Sequence, residues 1–145
     1  MNKQHLPLPT LDPSDKLMSQ IILTKIERDL MEAWTSLTTG VLTLVCALLF
    51  GIIAIKSKRR TLPRNSIVGI RLVSTLKSDE AWKASHQKTW GISALSSAIF
   101  LIGGLLLIFP EKTTEARYVL ITAVTYGSLI PLLAIQGILA NRAAD

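Results

Sequence analysis

Residues 33–55 read AWTSLTTGVLTLVCALLFGIIAI, residues 89–110 read TWGISALSSAIFLIGGLLLIFP, and residues 118–141 read YVLITAVTYGSLIPLLAIQGILAN. None of the chain's 16 Lys and Arg or 10 Asp and Glu residues falls inside these windows, although such residues make up 18% of the 145. Each window is 22 to 24 residues long. At about 1.5 Å of rise per residue, a helix of that length reaches roughly 33–36 Å, enough for a hydrocarbon core of about 30 Å. The fold class that follows is all-α: an integral membrane three-helix bundle with spans at about 34–55, 89–110 and 118–141. A hydrophobic content of 49% with a mean hydropathy of +0.41 agrees, an apolar excess that soluble domains rarely carry without long uninterrupted runs.

Upstream of the first window, residues 1–13 hold three prolines among polar residues and read as a flexible tail. Over 14–32, Leu17, Ile21, Ile22, Ile26 and Leu30 recur at helical spacing while Lys16, Lys25, Arg28 and Asp29 take other faces. That pattern predicts an amphipathic helix, lying at the membrane surface or running straight into span one. A secretory signal would need its apolar core near the start, where nine charged residues are scattered instead, so the first window is expected to be a retained span. Cys46, the one cysteine, sits inside that span and is read as a small packing residue.

Loop charge sets the orientation. The segment before span one has four basic residues against five acidic ones, and the hairpin after span two has Lys112 and Arg117 against Glu111 and Glu115. Residues 56–88 carry nine Lys and Arg against Asp79 and Glu80, and five of the nine fall between Lys56 and Arg64. Cationic loops resist translocation, so 56–88 is placed in the cytoplasm, the amino terminus outside and the carboxyl terminus inside. The sequence pI near 9.8 is then explained by topology, and direct nucleic-acid binding is not expected.

The spans differ in character. Span one has no polar residue beyond Thr and Cys after Ser36 and reads as a lipid-facing anchor. Span two carries Ser93, Ala94, Ser97, Ala98, Gly103 and Gly104, small residues that let a neighbouring helix approach closely. Span three has a polar stripe of Thr122, Thr125, Tyr126, Ser128 and Gln136, and Pro131 predicts a kink in mid-membrane. No span holds an ionisable side chain that would serve a proton or ion relay.

The loop ahead of span two is the richest stretch: residues 62–90 read LPRNSIVGIRLVSTLKSDEAWKASHQKTW. Ser78 is a good helix cap, with Asp79 and Glu80 complementing the positive end of the dipole, so a helix is expected to start there. Trp82, His86 and Trp90 then recur every four residues, at the depth where a helix enters the headgroups and where Trp usually anchors. His86 reads as structural or interfacial, because the other histidine, His5, belongs on the opposite membrane side and no metal set is available. Gly69 permits a tight backbone path, Arg71 can fork to a carboxylate or phosphate, and Asn65 can bridge backbone groups. The run Lys56 to Arg60 is read as fixing topology and meeting anionic headgroups.

Asn65, Gly69, Arg71, Thr75, Trp82 and His86 form an N-x3-G-x-R-x3-T-x6-W-x3-H arrangement that resembles the SdpI family of bacterial membrane proteins. The resemblance covers roughly residues 62–107 and the arrangement of the spans, and makes 33–145 an SdpI-like membrane domain of the short, single-motif kind. Leu72 and Val73 depart from the Thr and Pro that often follow the arginine. The resemblance implies a bacterial plasma-membrane protein that protects its cell against a membrane-active peptide toxin and holds a cytoplasmic repressor at the membrane. It implies no cofactor, and makes the six motif residues the candidate binding set.

An enzyme has least support, since no cysteine or second histidine stands where it would activate a nucleophile beside His86, and Asp79 and Glu80 are engaged in capping. A small transporter, or an accessory subunit of a membrane complex, is the alternative that the polar stripe and Pro131 of span three leave open. Three spans bury little among themselves, which leaves room for a homo-oligomer or hetero-complex, with membrane lipid as the surrounding partner.

Overall fold

A computed structural model describes residues 12–64, 67–109 and 114–144. Most of the tail at 1–13 and Asn65 therefore lie outside the described residues. The chain forms helices α1 (Pro13–Lys58), α2 (Asp79–Ile108), α3 (Glu115–Gly127) and α4 (Leu129–Ala144), with no strand among the described residues. Three helical rods, the third built from α3 and α4 together, are long and apolar enough to cross a membrane. This is the all-α, three-span architecture that the charge-free windows require.

Helix α1 settles how the amphipathic segment meets span one. Both lie in a single helix of 46 residues with no break at 33. Pro13 stands at its first position, where a missing N–H costs nothing and the fixed φ is already helical. Between 14 and 39 there is no glycine or proline to interrupt it. At about 1.5 Å per residue it extends roughly 69 Å, more than twice the hydrocarbon thickness. Its far end closes in a Schellman turn: Thr61 N–H donates to Lys56 C=O at 2.9 Å and Arg60 N–H to Ser57 C=O at 3.1 Å. Arg60 occupies the left-handed position, at φ 57°, where glycine is usual.

Helix α2 is central and packs on α1, α3 and α4. Span one is thus more than a lipid-facing anchor. Gly40 and Gly104 bring the two backbones together, so that a Cβ added to either would lie 3.1 Å from the other's carbonyl oxygen. Side chains also reach across to backbone carbonyls. Ser36 Oγ donates to Leu107 C=O at 2.7 Å, and Ser97 Oγ to Ala47 C=O at 2.8 Å. A ring ladder joins the three spans, with Phe50 to Phe100 at 5.5 Å and Phe100 to Tyr126 at 5.2 Å, both edge-on.

The distribution of side chains is inverted relative to a water-soluble bundle. Small and hydroxyl residues such as Thr43, Ser85, Ser93, Ser96 and Gly103 are buried, while Leu42, Leu48, Leu101 and Ile130 are exposed. In lipid, apolar side chains gain nothing by leaving the surface. Association then depends on close backbone approach and interhelical hydrogen bonds, which need small and polar groups inside.

The polar stripe of span three serves that purpose. Gln136 Nε2 donates to Ser93 Oγ at 2.8 Å, Tyr126 OH pairs with Thr43 Oγ1 at 2.7 Å, and Tyr118 OH with Thr39 Oγ1 at 3.1 Å. These groups tie span three to its neighbours. The kink expected at Pro131 falls at Ser128, where α3 gives way to α4. Proline clashes with the carbonyl four residues earlier and cannot donate to it, so the break lands on the turn preceding the ring. Ser128 Oγ turns back to Thr125 C=O at 2.8 Å.

Candidate functional site

The connection between α1 and α2 folds back onto the first two turns of α2. The helix starts at Asp79, and Ser78 Oγ accepts from Ala81 N–H at 3.1 Å. That cap aims Trp82, Ser85 and His86 at the preceding loop and at α4. Trp82 is fully buried and His86 2% exposed, whereas Trp90 is 37% exposed. Trp82 is therefore not the headgroup anchor that its spacing implied. At about 100° per residue, Trp90 stands roughly 80° around the helix from Trp82, enough to turn one inward and the other outward.

Four of the six motif residues meet here. Trp82 Nε1–H donates to Leu62 C=O at 3.1 Å, pinning the chain just after α1. The Trp82 indole and the His86 imidazole stack, their centroids 4.1 Å apart. His86 Nε2 accepts the backbone N–H of Ile70 at 2.9 Å, which leaves the ring proton on Nδ1, 2.8 Å from Trp82 C=O. Both nitrogens are engaged by backbone groups, so neither is placed to bind a metal. Burial pushes the pKa of His86 below 6.5, partly opposed by the bond to Trp82 C=O. His86 lies ahead of the charge-free run 89–110.

Gly69 passes directly over these rings. Its φ is +116°, and a Cβ there would lie 2.5 Å from His86 Nε2 and 2.8 Å from Trp82 Cη2. No other residue fits both the backbone angle and the space. Thr75, fully buried, closes the loop: its hydroxyl lies 2.7 Å from Ile70 C=O, to which it donates, and accepts Leu72 N–H at 3.0 Å. Gly69, Thr75, Trp82 and His86 thus form one latch holding Leu62 and the 69–75 segment against α2. Arg71 sits on the exposed surface of the same loop.

The sequence reading missed the latch's partners on α4. Ser74 Oγ donates to Asn141 Oδ1 at 2.5 Å, and Ser85 Oγ lies 3.0 Å from Ala140 C=O. Backbone partners leave no sequence signal, and Ser74 and Asn141 are 67 positions apart.

Beside the latch is a polar cleft of about 500 Å³, lined by residues 60–64 with Asp79, Trp82 and Lys83. Arg64 spans it, with Nε 3.1 Å from Asp79 Oδ1 and Nη1 donating to Leu76 C=O at 2.9 Å. Arg60 donates to Gln87 Oε1. The chemistry on offer is shape and positive charge. Those suit recognition of a carboxylate or phosphate group by guanidinium forks.

A family model described as the SdpI/YfhL protein family matches residues 61–140, which take in the latch, α2, α3 and most of α4. No curated protein and no solved structure matches the chain.

Proposed function

The chain belongs to the SdpI/YfhL family, and from that premise we propose that it is a non-catalytic membrane protein of the immunity and signal-relay type, protecting its cell against a membrane-active peptide. The observation that carries this reading is the latch. Four motif residues are spent on holding a loop against α2, with the His86 ring nitrogens both taken by backbone groups. What the loop offers outward is Arg71 and the cationic cleft, a surface for docking a partner.

Under this reading the bacterial plasma membrane holds the chain with its amino terminus outside, and a cytoplasmic repressor meets the 56–88 loop. The toxin meets the other end of the bundle. There Arg28, Met31 and Thr35 of α1 and Glu115 and Tyr118 of α3 border a cavity of about 200 Å³. The transporter alternative is less favoured, because Tyr126 and Gln136 of the polar stripe bond to neighbouring helices.

The experiment is survival of a sensitive bacterium expressing wild type or Arg71→Ala, challenged with the toxin typical of the family and with unrelated membrane-active peptides. Protection by wild type that weakens in an equally abundant variant supports the reading and gives Arg71 a part in it. Wild type that confers no protection against any of the peptides, at confirmed membrane abundance, rejects it.

A further inference from the structure

The basic end of the bundle carries two adjoining clefts that share Trp90. The first, about 270 Å³, runs between α1 and α2 over the small side chains of Ala54, Ala94 and Ser97 and the bare backbone of Gly51. Lys58 closes its end, with the ammonium 4.5 Å from the centroid of the Trp90 ring system. The second, about 400 Å³, places Arg60, Gln87 and Lys88 around the same indole. Among the described residues, no acidic side chain lines either cleft.

An apolar slot therefore opens, across a tryptophan, into a mouth with three cations. Trp90 is the second residue of the charge-free run 89–110 and is partly exposed, which sets the mouth at the depth of the headgroups. A slot alone would accept any acyl chain. The cations add charge selection, and Lys58 and Lys88 can each offer donors to a phosphate while their stems stay along apolar surface.

We infer that this corner is a binding site for one anionic phospholipid, its acyl chain in the α1–α2 slot and its phosphate between Lys58, Arg60 and Lys88. The inference goes beyond the immunity reading and does not depend on it. Arg60 is brought to the mouth by its left-handed backbone and held there by Gln87.

The test is native mass spectrometry of the full chain released from detergent, titrated with phosphatidylglycerol and with phosphatidylcholine of identical acyl chains. Wild type is expected to retain phosphatidylglycerol at least fivefold better. Lys58→Gln with Lys88→Gln, both at exposed positions, should bring the preference below twofold. Ala94→Leu, filling the slot, should reduce retention of both lipids, whereas diffuse surface attraction would be indifferent to it. Inorganic phosphate should not compete. Equal retention of the two lipids by wild type, an unchanged preference in the double variant, insensitivity to Ala94→Leu, or competition by phosphate alone would each overturn the proposal. A brominated phosphatidylglycerol that fails to quench the Trp90 emission lost in Trp90→Phe would do so independently.

Discussion

The backbone N–H of Ile70 donates to Nε2 of His86 at 2.9 Å, across sixteen positions of sequence. A protonated imidazole has no acceptor to offer, so the loop and helix are joined through the neutral ring. Burial lowers the folded pKa below 6.5, so as pH falls the unfolded chain takes up the proton first. The stability that His86 contributes is complete above about pH 6.5 and is lost as pH falls through the folded value. The unfolding midpoint in detergent is expected to drop between pH 7.5 and 5.5 by clearly more in wild type than in His86→Gln. Parallel curves would reject a buried neutral histidine.

Gly69 lies over the same rings in a left-handed conformation. Gly69→Ala must displace His86 or Trp82, besides straining the backbone by about 1–3 kcal/mol. We expect thermal unfolding to move down by an amount matching ~2 kcal/mol or more, with protease cleavage appearing within 59–78. An alanine variant as stable as wild type would remove the glycine from the latch.

Thr75→Val keeps the shape of a fully buried side chain and deletes its hydroxyl, which leaves Leu72 N–H and Ile70 C=O without that partner. The expected cost is about 1–3 kcal/mol. Thr75→Ser should recover most of it, and hydrogen exchange at the Leu72 amide should separate the two. Equal exchange in the two variants would show that the hydroxyl carries no weight.

The α1–α2 contact depends on bare backbone at Gly40 and Gly104. Gly104→Leu would collide with Leu44 as well as the Gly40 carbonyl, so the helices must separate. Loss of the folded species in a mild-detergent unfolding assay is expected, whereas Gly91→Ala, with open space around it, should be silent. A Gly104→Leu variant of wild-type stability would mean that the helices do not meet there.

Orientation can be read by labelling. In a Cys46→Ala background, Lys25→Cys should react with an impermeant maleimide in whole cells, and Lys83→Cys only after permeabilisation. The reverse pattern would invert the topology proposed from loop charge.

Which parts of this were legible depended on whether the signal was local. The spans showed themselves through missing charges, the start of α2 through the Ser78 cap, and the α2 interface through Gly103, Gly104 and the serines, all within a few residues of where they act. The inward turn of Trp82 was not legible, since helical spacing gives a shared face but not the direction in which it points. That direction is set by a loop folding back from Leu62 and Ile70. Arg60 was hidden too, because the left-handed turn it makes is ordinarily marked by glycine. Pro131 announced a break but not its place, which lies at Ser128 because the offended carbonyl is one turn upstream. Gly69, Thr75, Trp82 and His86 were recognisable as a set, yet only their geometry separates a latch from a list of polar contacts.

The continuity of α1 has a mechanical consequence. With no break between its exposed end and the part packed on α2, the helix behaves as a lever whose fulcrum is the Gly40–Gly104 contact. From Gly40 back to Pro13 the arm is about 40 Å long, so a 10° tilt about that contact sweeps the tip by roughly 7 Å. Read in the other direction, a load applied at Leu17 or Ile21 arrives at the bundle as torque. The short arm of that lever ends at Lys58, just before the turn at Arg60 that leads to the latch.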